Sequence, residues 1–354
     1  MGAKNYIPPL ALAYDDVLIV PQRSRISSRS EVDLTTKLSK RIVLTVPFMS
    51  MHMTDVTGVK LCVALGKLGS MGYLPRFISA EKQADMVSAV KKKNVIVGAA
   101  VGLRNGSIER AKKLVKAGAD VITLDVAHGH MQKAIDTTKK LKQMFGRYTD
   151  LQTGMVATYQ GAKDLFKAGA NTVRAGVGPG TICITRTQTG VGVPQITAVM
   201  ETARAAREMR KTIICEGGTK NSGDVVKGLA AGASAVVAGS QFAGTDEAPG
   251  KLVKRRGKMY KEYNASTSIA EKKKHAKKNN NLSKTYEKHI EGVESLVPYK
   301  GPVKPILEYT AANIRSGFSY AGAKNINEFW KKAKFVRITS SGVRESGSHD
   351  VILK

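Results

Sequence analysis

Three stretches of the chain repeat one pattern of apolar and polar positions. Leu114 to Asp120 leads into Val121-Ile122-Thr123-Leu124, Leu165 to Asn171 into Thr172-Val173-Arg174-Ala175, and Leu229 to Ser234 into Ala235-Val236-Val237-Ala238. Each starts on the apolar stripe of a helix end. It then passes a glycine at the C-cap position (Gly118, Gly169, Gly232) and continues as a short buried strand. The repeating unit is therefore helix, tight turn, strand. Extending it predicts eight strands, near 45–50, 69–74, 94–99, 120–125, 153–157, 171–176, 211–216 and 234–239. Helical periodicity separates most of them, as over Ser107 to Ala117 and Pro194 to Arg210. Brief apolar strands alternating with helices predict a parallel sheet covered on both faces. Eight such units between residues 45 and 239 fit a (β/α)8 TIM barrel. A doubly wound open sheet ranks lower, because no GxGxxG pattern follows the first strand.

A barrel of this kind carries its chemistry at the C-terminal ends of the strands. Those ends read Ser50-Met51-His52-Met53, Asp125 to His130, Gly154-Met155, Glu216-Gly217-Gly218 and Gly239-Ser240. The sixth is the stretch Gly176-Val177-Gly178-Pro179-Gly180-Thr181-Ile182-Cys183-Ile184-Thr185. Its glycines allow tight bends and close approach to a ligand, and Cys183 stands between two hydroxyls. The loops after strands seven and eight commonly hold a phosphate, for which Gly217, Gly218, Gly239 and Ser240 offer backbone amides and a hydroxyl.

Composition changes the picture little. Of 354 residues, 42% are apolar, enough for a sizeable core, but only 6% are aromatic and Trp330 is the sole tryptophan. Ala, Val and Gly must do much of the packing. Cys62, Cys183 and Cys215 form neither a disulfide framework nor a zinc pattern, which points to a reducing compartment. Cys62 and Cys215 lie in apolar runs and read as core. Without a signal-peptide pattern or a run of ~20 apolar residues, the expectation is a soluble, cytoplasmic protein away from membranes.

The net charge is +29, densest over 251–300, where 14 Lys/Arg face 5 Glu. No aromatic-interleaved basic motif accompanies it. Solvated surface is therefore the first reading, steering of anionic substrates the second, and dedicated nucleic-acid binding the least supported. Residues 251–300 show little apolar periodicity and read as a mobile flap over the barrel mouth. A helix over 304–315, a strand-like 335–339 and a polar tail from Ser340 follow.

The stretch 176–185, with Gly190-Val191-Gly192-Val193-Pro194-Gln195, resembles the catalytic loop of the inosine monophosphate dehydrogenase and guanosine monophosphate reductase family. The likeness runs from Tyr14-Asp15-Asp16 through Ser222-Gly223-Asp224 and Gly244 to Gly250, and on to Arg315-Ser316-Gly317 and the tail. It implies one catalytic barrel over 1–354, without the CBS module often inserted in the dehydrogenases.

The resemblance also implies a cysteine adduct on a purine nucleoside monophosphate and hydride exchange with NAD or NADP. Cys183 would be the nucleophile, assisted by Thr185. Thr181, Glu216, Gly217, Gly218, Gly239, Ser240 and Tyr263 would hold the nucleotide. Asp125, Ala127, Arg174, Gly176 and Gly178 would face the cofactor. A potassium ion would lie on the carbonyls of Gly178, Gly180 and Cys183. Glu345, Ser346 and Gly347 from a neighbouring subunit would complete its site, implying a homotetramer.

The chain departs from the family at Glu216 (usually Asp, on the ribose hydroxyls), Met155 (usually Asn) and Ala265-Ser266-Thr267. It departs also at His52, which reads as structural. The dehydrogenase activates water with an Arg-Tyr pair in the flap, where this chain has Thr285-Tyr286 preceded by Lys284. Lysine lacks the guanidinium fork and is a poor substitute. The reductase expels ammonia through the threonine and a flap glutamate, for which Glu291 is the candidate. The tail Ile338 to Ser346 and the stretches 244–250 and 297–301 resemble dehydrogenases and favour that branch. The reductase is the alternative, and a nucleotide-binding homologue without turnover the third.

Overall fold

The computed structural model describes residues 10–278 and 288–352. Eight short strands alternate with helices and close on themselves. They are β1 (Phe48–Ser50), β2 (Gly72–Leu74), β3 (Val97–Val101), β4 (Val121–Asp125), β5 (Asp150–Val156), β6 (Thr172–Ala175), β7 (Thr212–Glu216) and β8 (Ala235–Ala238). All neighbours run parallel, and β8 pairs with β1 to complete the barrel. The strands are almost wholly buried, as expected for a parallel sheet covered by helices. Each of the eight predicted strands is present.

The helices are α1 (Val59–Lys67), α2 (Ala80–Lys91), α3 (Ser107–Lys116), α4 (Gln132–Phe145), α5 (Tyr159–Lys167), α6 (Gln195–Met209), α7 (Ser222–Ala230) and α8 (Val303–Tyr320). Helix α8 packs against both α7 and α1 and closes the outer ring. The three repeat glycines adopt φ of 96°, 107° and 114°, the left-handed turn that ends a helix and points the chain into the next strand. Ser79, Thr158 and Asn221 cap α2, α5 and α7 by accepting from backbone amides.

The N-terminal end of the barrel is plugged. Strands Thr36–Lys37 and Val43–Leu44 form a hairpin whose Leu38, Ile42 and Leu44 pack on Met49, Met71, Tyr73 and Val237 inside the barrel. The hydroxyls of Thr172 and Thr212 both donate to the Leu38 carbonyl, at 2.9 and 2.5 Å. The opposite end carries the C-terminal ends of the strands. Strand Phe335–Arg337 pairs antiparallel with Val17–Ile19 outside the barrel.

The expectation of an irregular flap needs correction. Leu252–Arg255, Lys258–Glu262 and Leu296–Pro298 form a three-stranded antiparallel sheet, followed within the excursion by a helix, Ile269–Lys278. The first two strands carry mostly solvent-facing side chains, so lysine obscures their alternation.

Candidate active site

The loop after β6 is built around Arg186. Its guanidinium donates to the carbonyls of Val177 and Val193 and ties the two ends of the loop together. A Cβ at Gly178 or Gly192 would meet the Arg186 side chain at 2.8 or 2.6 Å, so both glycines make room for that strap. The Cys183 amide donates to the Gly180 carbonyl at 3.0 Å. Beyond it the loop pairs with the returning segment of the mouth excursion. Ile184 N donates to Glu291 O at 2.9 Å, and Val293 N to Ile182 O at 3.1 Å. This pairing brings a carboxylate to the cysteine. Thr185 Oγ1 is 3.1 Å from Cys183 Sγ and donates to Glu291 Oε2 at 2.7 Å. The half-buried thiol, the hydroxyl and the carboxylate thus form one hydrogen-bonded line.

Opposite, the ends of β7 and β8 offer small residues and amides. Gly217 and Gly218 take φ of 89° and 82°, and a Cβ on Gly218 would meet the Pro179 carbonyl at 2.9 Å. A Cβ on Gly239 would meet Tyr263 Oη at 2.4 Å. Burial pushes the Tyr263 phenol up from its ordinary value, which keeps it a hydrogen-bonding OH. Thr181 and Ser240 bring their hydroxyls to 3.5 Å across the gap.

The floor between these walls is ionic. Arg174 and Glu216 are 2% and 4% exposed, and charges so buried must be paired. Both carboxylate oxygens of Glu216 accept from Arg174, in a bidentate fork. Arg174 Nη1 also donates to Thr123 Oγ1 at 3.0 Å. Next to the pair, Asp125 lies 2.9 Å from His52 Nε2 and 2.8 Å from Arg76 Nε. Burial works against its ionisation, but His52, Arg76 and Arg174 outweigh that and hold the carboxyl well below the usual range. Burial likewise opposes the Arg174 charge, and Glu216 and Asp125 more than restore it.

A cavity of about 280 Å³ joins these parts. Asp125, Ala127, Arg174, Gly178, Gly180, Thr181, Cys183, Thr185, Glu216, Gly217, Gly218, Gly239, Ser240, Tyr263 and Glu291 all line it, as do Met155 and Ala265 to Thr267. Gly176 does not. At φ 136° it lies under the loop, where a Cβ would meet the Gln195 amide at 2.7 Å, so its role is packing beneath the site. Glu345, Ser346 and Gly347 are exposed and form no part of the cavity wall, and their helix, Ser340–Glu345, packs near Tyr14–Asp16. Lys284 and Tyr286 lie outside the described residues.

Sequence reasoning missed Arg76 and Phe77, which line the cavity, and read His52 as merely structural. The position of all three just beyond barrel strands was the available signal. Cys62 and Cys215 are fully buried, and burial pushes the Cys215 thiol up to about 11. Among the described residues no cluster of three His, Cys, Asp or Glu could hold a metal, and no helix is long and apolar enough to cross a membrane.

Residues 11–349 match the model of the IMP dehydrogenase / GMP reductase domain. The inosine-5′-monophosphate dehydrogenase of Nitrosopumilus maritimus is 34% identical, over 97% of this chain and 98% of the relative. The GMP reductase of Leishmania major is 32% identical over 99% of both. A solved GMP reductase variant from Trypanosoma brucei, in complex with guanosine 5′-monophosphate, superposes with a TM-score of 0.90 at 30% identity. That match covers 98% of this chain and 99% of the other.

Proposed function

The chain belongs to the IMP dehydrogenase / GMP reductase family of NAD(P)-dependent oxidoreductases, and from that premise we propose that it works as a GMP reductase through a Cys183 adduct. The observation that carries this reading is the line Cys183–Thr185–Glu291. Cys183 Sγ attacks C2 of the purine, activated as thiolate. A proton passed along Glu291 and Thr185 reaches the 2-amino group, the C2–N bond breaks and ammonia leaves. The nicotinamide dinucleotide supplies the hydride. Once C2 has received it, Sγ departs and the inosine nucleotide is free.

Water activation would need the flap pair, and its arginine position is Thr285. The dehydrogenase reading keeps support from the full-length relatives of that name and from the tail motif. In it the same relay draws a proton from water.

The walls divide the labour. Gly217, Gly218, Gly239, Ser240 and Thr181 surround a phosphate with amides and hydroxyls. Asp125, Arg76 and Ala127 border the nicotinamide side. Glu216, with its carboxylate committed to Arg174, positions that guanidinium and turns only its remaining lone pairs to a ribose. Backbone carbonyls of Gly178, Gly180 and Cys183 are the hard-oxygen donors potassium takes. One of them, Gly180 O, already accepts the Cys183 amide. A single chain supplies an incomplete set, so the ion would need Glu345 to Gly347 of another copy and hence an oligomer.

Absorbance at 340 nm decides. Guanosine monophosphate with NADPH should give a fall, and Cys183→Ser should abolish it. A rise with inosine monophosphate and NAD, and no fall in the first assay, would establish the dehydrogenase instead. Nucleotide binding without either change would mean a homologue that has lost turnover.

A further inference from the structure

Among the described residues three carboxylates line the cavity, Asp125, Glu216 and Glu291, and all three are engaged. Glu291 accepts from Thr185 at 2.7 Å, and Asp125 is held between His52 at 2.9 Å and Arg76 at 2.8 Å. Glu216 is the most committed, since each of its oxygens takes an N–H of Arg174. Strands β6 and β7 pair Arg174 with Ile214, and Glu216 lies two residues on, so both side chains leave the same face of the sheet. The two are almost wholly buried, at 3% and 5% side-chain exposure. The guanidinium has further companions. Nη1 donates to Thr123 Oγ1 at 3.0 Å, and Nη2 stands 3.3 Å from His52 Nε2.

The place of this pair decides what it can recognise. Glu216 runs straight into Gly217 and Gly218, whose amides belong to the phosphate wall. That wall lies against the cysteine loop, since a Cβ on Gly218 would meet the Pro179 carbonyl at 2.9 Å. A nucleotide with its phosphate on the wall and its purine C2 at Cys183 must lay its sugar between them, beside Glu216. A site built around a substrate hydroxyl rejects the analogue lacking it by about 10⁴–10⁵-fold, because buried polar groups are then left unpaired. Here a missing 2′-hydroxyl leaves nothing unpaired, as Glu216 and Arg174 satisfy each other. Turning Glu216 away to serve the sugar would instead strand a buried guanidinium. We infer that the Glu216–Arg174 fork leaves the sugar 2′-position without a dedicated partner, so that the cavity accepts 2′-deoxyguanosine monophosphate alongside guanosine monophosphate. This rests on the purine-nucleotide reading above and widens its substrate class.

Calorimetry on the full chain tests it with guanosine 5′-monophosphate and 2′-deoxyguanosine 5′-monophosphate as probes. The two dissociation constants should agree within about tenfold, the range one ordinary hydrogen bond spans. The two values of kcat/KM with NADPH should agree as closely. Glu216→Gln keeps the shape and removes the charge, and it should change both affinities by the same factor, because the carboxylate serves Arg174 and not the sugar. A larger preference for the ribonucleotide in either measure, or a Glu216→Gln loss confined to the ribonucleotide, would overturn the inference. The comparison in the unsubstituted protein decides even where that variant fails to fold. Binding needs no turnover, so the two readings fail separately. Equal binding without a fall at 340 nm refutes the reaction and keeps the inference. A fall with guanosine monophosphate alone keeps the reaction and refutes the inference, and binding of neither nucleotide refutes both.

Discussion

Asp125 shows how single residues at the mouth depend on one another. It meets His52 at 2.9 Å and Arg76 at 2.8 Å, and Arg174 stands 4.0 Å away. A free aspartate titrates near ~3.9. The folded value lies well below that, so the carboxylate stabilises the fold at any pH above ~3.9. That contribution is lost as pH falls through the unfolded value towards the lower folded one. Asp125→Asn keeps the shape but removes the charge, and should cost about 2–3 kcal/mol near neutrality, the scale of a charged hydrogen bond. Thermal melts from pH 7 to pH 3 should show the gap to the unsubstituted protein closing below about pH 4. A gap constant across that range would mean that the charge contributes nothing and only packing was lost. The cluster itself was hard to read from sequence. His52, Asp125, Arg174 and Glu216 come from the ends of four different strands, and only closure of the barrel makes them neighbours. Cys183 and Thr185 were legible because they stand two apart in a glycine-rich loop. Glu291, 106 residues from Thr185, came from the family resemblance and not from any local pattern.

At the scale of elements, the barrel strands were legible because glycines after α1, α3, α5 and α7 take a left-handed turn and the strands behind them are short, mostly apolar and buried. The sheet over the mouth was not, since Leu252–Arg255 and Lys258–Glu262 bury little. Its turn signal, Arg256-Gly257 with φ of 49° and 77°, was present but lay among lysines. The hairpin that plugs the far end was missed for another reason. It is only two residues per strand, and its value lies in three side chains and one carbonyl. Leu38 is fully buried, and its carbonyl takes hydroxyls from both β6 and β7. Leu38→Ala would open a cavity under the barrel and should cost about 2–5 kcal/mol. Denaturant midpoints should show that loss, while nucleotide affinity stays within about twofold in the folded variant, because the plug is at the opposite end from Cys183. A large fall in affinity at full stability would contradict this separation of plug from site.

The whole molecule carries 57 basic and 28 acidic residues, and the excess must either be solvated or act at a distance. Several ion pairs join exposed side chains across the surface, as Lys113 with Glu81 and Lys220 with Asp15 do, and such pairs neutralise only the acids available. A groove that adjoins the cavity through Arg76 and Phe77 is lined by Lys82, Arg104 and Arg110, and Arg255 and Arg256 line another on the mouth sheet. Phosphate ligands should therefore be drawn in before contact. The Debye length is about 30 Å at 0.01 M salt and about 8 Å at 0.15 M, so such steering should fade over that interval. Initial rates at several potassium chloride concentrations, with sodium chloride as a parallel series, separate screening from any specific need for potassium. Steering predicts that KM for the nucleotide and for the dinucleotide rises several-fold in both series, while kcat moves much less. A KM that ignores salt in both would assign the +29 charge to plain solvated surface, and a kcat that rises only with potassium would point to the loop carbonyls of Gly178, Gly180 and Cys183 instead.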